Sequence, residues 1–194
     1  VGNREGALAL ARSLVMQSVA HCGPADLTLG VFFDRGKEDE WSWTSWLPHT
    51  RQSGSSTGGR WISCDRDQST AMLKNLHQSI DGLLSPELLL LIDSEVLTEG
   101  RDAPARELLG HGRHVNNYNQ RKNIHRVSGI VIASSTEQLP ASCTVVIDVG
   151  EDAAATFTEP EKRRVIEDII IGGISLEDAT ITAHQLAQFD DPEL

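Results

Sequence analysis

The chain has 194 residues, with 17 Lys and Arg against 28 Asp and Glu, for a net charge of −11. That length suits one domain with a sizeable core, and the acidic balance disfavours direct binding to a nucleic-acid backbone. Cys22, Cys64 and Cys143 lie far apart without a C-x-x-C, which points to neither a disulfide framework nor a zinc site and fits a reducing compartment.

Taken in order, residues 5–21 place Leu8, Ala11, Leu14, Val15 and Val19 at helical spacing before a Gly23-Pro24 stop. Leu27 to Phe33 reads as a strand. Trp41, Trp43 and Trp46 follow in W-S-W-T-S-W-L-P-H, and the Ser/Gly-rich stretch 51–59 reads as a loop. Trp61 to Cys64 is a short strand candidate. Residues 67–84 return to helical spacing with Ala71, Met72, Leu73, Leu76, Ile80 and Leu83. Leu88 to Asp93 is a continuous apolar run ending in an acid, the pattern of a buried strand in a parallel sheet. Residues 110–127 are polar and read as a loop or ragged helix. Gly129–Ser134 and Cys143–Val149 predict further buried strands, and Ala154–Phe157 with Arg164–Ile171 predicts a closing hairpin. Ser175 is an N-cap candidate for a final helix reaching about Gln188, with Ala179, Ala183, Leu186 and Ala187 inward. No internal repeat is visible, and no apolar run approaches the roughly 18 residues of a membrane span. The alternation predicts an α/β sheet flanked by helices.

The first landmark is the start of the chain, V-G-N-R-E-G-A-L. A phosphate-binding loop reads G-x-x-x-x-G-K-[ST] and opens a helix; its Lys reaches the β/γ-phosphates and its hydroxyl holds magnesium. Gly6 stands where the second glycine belongs, and Ala7 and Leu8 stand at the Lys and hydroxyl positions. Gly2 and Gly6 could form an anion nest at the helix N-terminus, with Arg4 adding positive charge. Glu5 opposes an anion there, and a tight strand-to-helix turn is the simpler reading. The second landmark is L-L-L-I-D-S-E at 89–95. Four apolar residues and an Asp resemble a magnesium-holding strand end, but Ser94 follows Asp93 and Glu95 falls one residue late, which re-aims its side chain. Asp93 is also open to a structural role in a turn or N-cap.

Three weaker signals accompany these. Trp41, Trp43 and Trp46 share no single helix or strand face, and read either as core or as an aromatic platform for a partner. Arg113, Arg121 and Lys122, with His111, His114, His125 and Arg126, form the basic stretch of an acidic chain; it reads as a solvated loop, with nucleic acid, an acidic partner or a neighbouring domain as the alternative contacts. H-x-x-H at 111 and 114 lacks an acid or Cys at ligand spacing, so no metal is expected. No G-x-S-x-G offers a nucleophile.

With these landmarks, the sequence resembles the FtsK/SpoIIIE superfamily, specifically the EccC-type ATPases of type VII (ESX) secretion in actinobacteria and their forkhead-associated-domain relatives. The likeness rests on A-L-A-L-A-R-S-L-V at 7–15, H-C-G-P-A-D-L at 21–27, W-S-W-T-S-W-L-P-H at 41–49, L-L-L-L-I-D at 88–93 and L-A-Q-F-D-D-P-E-L at 186–194. It covers most of the chain and weakens between 98 and 127. The resemblance implies a RecA-like P-loop NTPase fold, with a mostly parallel central sheet flanked by helices and a β-hairpin near the C-terminus. It implies a single degenerate module over 1–194 cut from a longer, membrane-anchored protein at the cytoplasmic face. In active modules the loop carries Lys and a hydroxyl and the second core strand ends in Asp and an acid; Ala7, Leu8 and Ser94 replace them here. The expectation is therefore a pseudo-ATPase: no catalysis, no cofactor, and contacts with neighbouring ATPase modules, secretion-machinery subunits or secreted protein. The alternative is an active ATP- and magnesium-dependent translocase of DNA or protein.

Overall fold

A computed structural model of the chain describes residues 1–52, 58–79, 86–98, 103–110, 127–151 and 154–188. Its centre is a four-stranded parallel sheet with the order β2-β1-β3-β4. The strands are β1 (Leu27–Phe33), β2 (Ile62–Ser63), β3 (Glu87–Asp93) and β4 (Val127–Val131). β1 and β3 pair in register over their full length, from Leu27 opposite Glu87 to Phe33 opposite Asp93.

The two faces of this sheet explain why β1 and β3 are apolar without alternation. Side chains point to opposite faces at every second residue. Leu89 and Leu91 join the cluster that contains Leu8, Val15, Val19, Leu29, Val31, Trp41 and Trp43. Leu88, Leu90 and Ile92 join the opposite cluster, with Phe32, Leu73, Leu76 and Leu108. Helix α1 (Arg4–His21) and helix α5 (Leu176–Leu186) contribute to the first face; α3 (Arg66–Ser79) and α4 (Pro104–Gly110) cover the second. A strand covered on both sides must be apolar at every position. Each fully buried Leu or Ile contributes about 1.5–3 kcal/mol, so β3 is a principal source of stability.

The helix ends follow local chemistry. Asn3 caps α1, its side-chain oxygen accepting the Gly6 N–H at 2.9 Å. Ser175 caps α5, as the sequence predicts, by accepting from the Asp178 N–H at 3.0 Å. Between β1 and β2 lie a one-turn helix α2 (Glu38–Trp41) and two 3₁₀ turns at Ser42–Trp46 and Pro48–Thr50. There the L-P-H of the sequence is buried at Leu47, Pro48 and His49.

A second sheet is antiparallel, with the order β5-β6-β7: β5 (Val146–Val149), β6 (Ala154–Glu159) and β7 (Arg164–Ile170). The predicted hairpin is β6 with β7. Two expectations need correction. The buried strand predicted over 143–149 is β5, antiparallel to β6 in the second sheet, and it is not buried throughout: Val146 and Ile147 are half-buried and Asp148 is exposed. β4 is not a buried strand: Ser128 and Gly129 are exposed and its other residues half-buried. Its apolar residues pair with β3 on one side, and among the described residues its other edge has no strand beside it.

Candidate functional site

The two landmarks of the sequence meet in space. α1 begins beside the carboxyl end of the parallel sheet, the place where open α/β sheets bind ligands. β3 ends there in Asp93, whose side chain is 2% exposed. Its carboxylate accepts four hydrogen bonds. Arg4 Nη1 and Nη2 donate at 3.2 and 2.8 Å, Lys37 Nζ at 2.9 Å and Trp41 Nε1 at 2.9 Å. Four is about the full accepting capacity of a carboxylate.

Each donor reaches Asp93 for a local reason. Asn3 starts α1, which places Arg4 in its first turn. Gly36 adopts φ +90°, a left-handed turn after β1 that glycine makes without a steric penalty. That turn leads to Lys37, whose ammonium also donates to the Asp93 carbonyl at 2.9 Å and to Asp34 at 3.3 Å. Trp41 is wholly buried in α2, and its indole N–H finds a partner in Asp93 as buried indoles must.

The node is electrostatically closed. Arg4 also pairs with Glu40, so two cations serve three acids: Asp34, Glu40 and Asp93. Burial by itself would raise the Asp93 carboxyl, but the hydrogen bonds from Arg4, Lys37 and Trp41 more than offset it and hold it below the usual carboxylate range. Hydrogen bonding to Asp93 raises Arg4 further above its ordinary range, despite its partial burial.

The loop at the helix start is equally occupied. The Asn3 N–H donates to the Val149 carbonyl at 2.6 Å, the Gly6 N–H to the Asn3 side chain, and the Ala7 N–H to the Asn3 carbonyl at 3.0 Å. A Cβ on Gly6 would lie 2.6 Å from Val149 Cγ1, so this glycine serves a close approach between α1 and β5. Leu8 is buried in the core and Ala7 is half-buried. A magnesium–nucleotide complex does not fit these residues. Ala7 and Leu8 bring no cation or hydroxyl, and the acid that would approach magnesium is saturated by protein donors.

The remaining candidates separate. Ser94 is buried and donates to Asp34 at 2.6 Å, while its oxygen accepts the Leu97 N–H at 3.4 Å. The turn after β3 is thus capped by Ser94, not by Asp93. Glu95 is exposed and accepts from Ser134 at 3.4 Å, away from the Asp93 node. Trp41 and Trp43 are fully buried, with ring centroids 6.4 Å apart, and have no surface to present to a partner. Trp46 is 47% exposed and stacks on His184 of α5 at 3.9 Å between ring centroids. Arg113, Arg121, Lys122 and the histidines at 111, 114 and 125 lie outside the described residues. Among the described residues no group of three or more His, Cys, Asp or Glu is placed to hold a metal.

Sequence reasoning did not find Lys37 or the pairing of Arg4 with Asp93. The partners stand 56 and 89 residues apart, and no local pattern joins them. A short D-R-G-K turn after an apolar strand was the available signal. Compared with known proteins, the chain matches no family model and no curated protein.

Proposed function

We propose that this chain is a non-catalytic, ATPase-like module that serves as a scaffold or regulatory contact domain, of the kind its resemblance to FtsK/SpoIIIE and EccC-type secretion ATPases implies. The observation that carries this reading is the Asp93 node. In an active module the acid at the end of this strand must be free to approach magnesium. Here Arg4, Lys37 and Trp41 take its lone pairs. Exchanging them for a metal would leave the buried Trp41 indole N–H without its acceptor and set the metal beside the Arg4 and Lys37 cations. The parallel sheet with helices on both faces is compatible with a RecA-like fold, which remains part of the proposal.

On this reading the working surfaces face other protein: neighbouring ATPase modules, secretion-machinery subunits or a secreted substrate. A place at the cytoplasmic face of a membrane belongs to the same proposal and depends on flanking segments. Among the described residues no helix is long and apolar enough to cross a membrane. The net charge of −11 argues against a DNA-translocating role, which needs a basic track.

The test is thermal unfolding with millimolar ATP and magnesium. A ligand that binds the native state must raise its melting temperature. The expected result is no shift; a clear, saturable rise contradicts the proposal and favours the active translocase.

A further inference from the structure

Beyond the apolar groove of about 660 Å³ between β4 and β5, a polar crevice of about 370 Å³ opens at the carboxyl ends of β1, β2 and β3. Asp34 and Arg35 line it after β1, Asp65, Arg66 and Ser69 at the start of α3, and Ser94 after β3. Arg4, Lys37 and Asp93 do not line it. In the order β2-β1-β3-β4 the chain leaves β1 toward one side and β3 toward the other. An open parallel sheet has its ligand crevice at such a reversal.

The acids of this crevice are already committed. Asp34 accepts from Ser94 at 2.6 Å and from Lys37 at 3.3 Å. Asp65 caps α3 by accepting the Asp67 and Gln68 N–H groups, both at 3.1 Å, and it pairs with Arg35 at 2.6 Å. The Gln68 N–H, and after it Arg35, hold the Asp65 carboxyl below the usual carboxylate range.

The donors are not all committed. Ser69 is 1% exposed, and its hydroxyl has no hydrogen-bond partner among the described residues. A helical serine commonly bonds the carbonyl four residues back. Here that carbonyl belongs to Asp65 and already accepts the Ser69 N–H at 2.8 Å and the Ser63 hydroxyl at 3.1 Å. Both its lone pairs are taken, so the Ser69 hydroxyl is left over. The exposed Arg66 guanidinium also has no acid beside it among the described residues. Of the first four N–H groups of α3, three go to Asp65, and that of Arg66 remains. What the crevice lacks is therefore an acceptor, and the N-terminal end of a helix favours a negative one. Two carboxylates stay on its walls, so a singly charged anion fits better than a phosphate with up to about two charges.

We propose that this crevice binds a carboxylate group, held by the Arg66 guanidinium and the Ser69 hydroxyl at the start of α3. The carboxylate belongs either to a free small acid or to an acidic side chain of another protein. This inference does not depend on the nucleotide reading, because the two sites share no residue among Arg4, Lys37 and Asp93.

The experiment titrates the full chain with sodium acetate into the millimolar range and follows proton–nitrogen correlation spectra. Sodium chloride at equal ionic strength is the control for screening. The Arg66 and Ser69 amide signals should move saturably with acetate and not with chloride, while the Trp41 indole signal stays fixed. Arg66→Gln, at an exposed position that leaves the fold intact, should weaken binding about tenfold; Ser69→Ala should weaken it about fivefold. A second arm compares acetate with the blocked peptide acetyl-Ala-Glu-Ala-amide and its Gln counterpart. Tighter binding of the Glu peptide assigns the carboxylate to a protein segment; binding no tighter than acetate assigns it to a free acid. No movement beyond chloride with either carboxylate, equal or stronger binding of inorganic phosphate, or binding unchanged in Arg66→Gln overturns the proposal.

Discussion

The carboxyl end of the parallel sheet and the groove between β4 and β5 are opposites in the same small fold. At the first, a buried carboxylate has four donors and both cations bonded to it also pair with a second acid. At the second, apolar residues and backbone edges face a cavity. Low-dielectric surroundings make a satisfied polar cluster rigid and an unsatisfied one costly. The acid node is therefore built to hold α1, α2 and β3 together, while the groove is lined mainly by apolar residues of α1, β4 and β5. Polar residues at a strand end do not by themselves mark a ligand site; their remaining hydrogen-bonding capacity does.

Substitutions can break that contrast. Trp41→Ala carries the largest expected effect, because it opens a cavity in the core and removes a donor from Asp93. Equilibrium denaturation should show a loss of about 3–5 kcal/mol, while Trp46→Ala, at the exposed end of the same segment, stays near wild type. A loss at Trp46 as large as that at Trp41 would mean the node does not anchor this region.

Asp93→Ala should cost about 2–3 kcal/mol, since Lys37 and Arg4 can turn partly to water while the indole N–H cannot. The pH dependence has a definite sign. The folded carboxyl titrates below its unfolded value near 4, so its contribution is complete above that pH and fades as pH falls through the folded pKa. The stability gap between wild type and Asp93→Asn should shrink on acidification below about pH 4. A gap that widens there would contradict the charged node.

Arg4→Ala should cost no more than about 1 kcal/mol, because its side chain is 43% exposed and water screens its pairing. Leu14→Ser, in the groove, should lie within about 0.5 kcal/mol of wild type. If Leu14→Ser proves as damaging as Asp93→Ala, the groove is already filled in solution and the contrast fails.

Much of the fold was legible because parallel strands are written as unbroken apolar runs. Leu27–Phe33 matches β1, and Leu88–Asp93 lies within β3. Ser175 announced its helix by local capping chemistry. β4 and β5 were legible as strands but not in their neighbours. An apolar run says that a strand wants cover, while which edge covers it depends on residues far away in sequence. The tryptophans divided for a similar reason. Their spacing excluded a shared helix or strand face, but a short helix followed by 3₁₀ turns buries two and exposes the third. Of the site, Gly6, Ala7, Leu8 and Asp93 stood out as positions. What they do was decided by Asn3, Arg4 and Lys37, whose roles exist only once α1 and the turn after β1 are brought to the end of β3.

The central claim is that Asp93 is held by protein donors and is closed to a magnesium–nucleotide. The Trp41 indole N–H, 2.9 Å from the carboxylate, is its direct reporter. In a proton–nitrogen correlation spectrum, the Trp41 indole and Gly6 amide signals should stay fixed as magnesium and ATP are raised together into the millimolar range. A saturable movement of both signals would show that Asp93 exchanges its donors for the ligand, and would contradict the account.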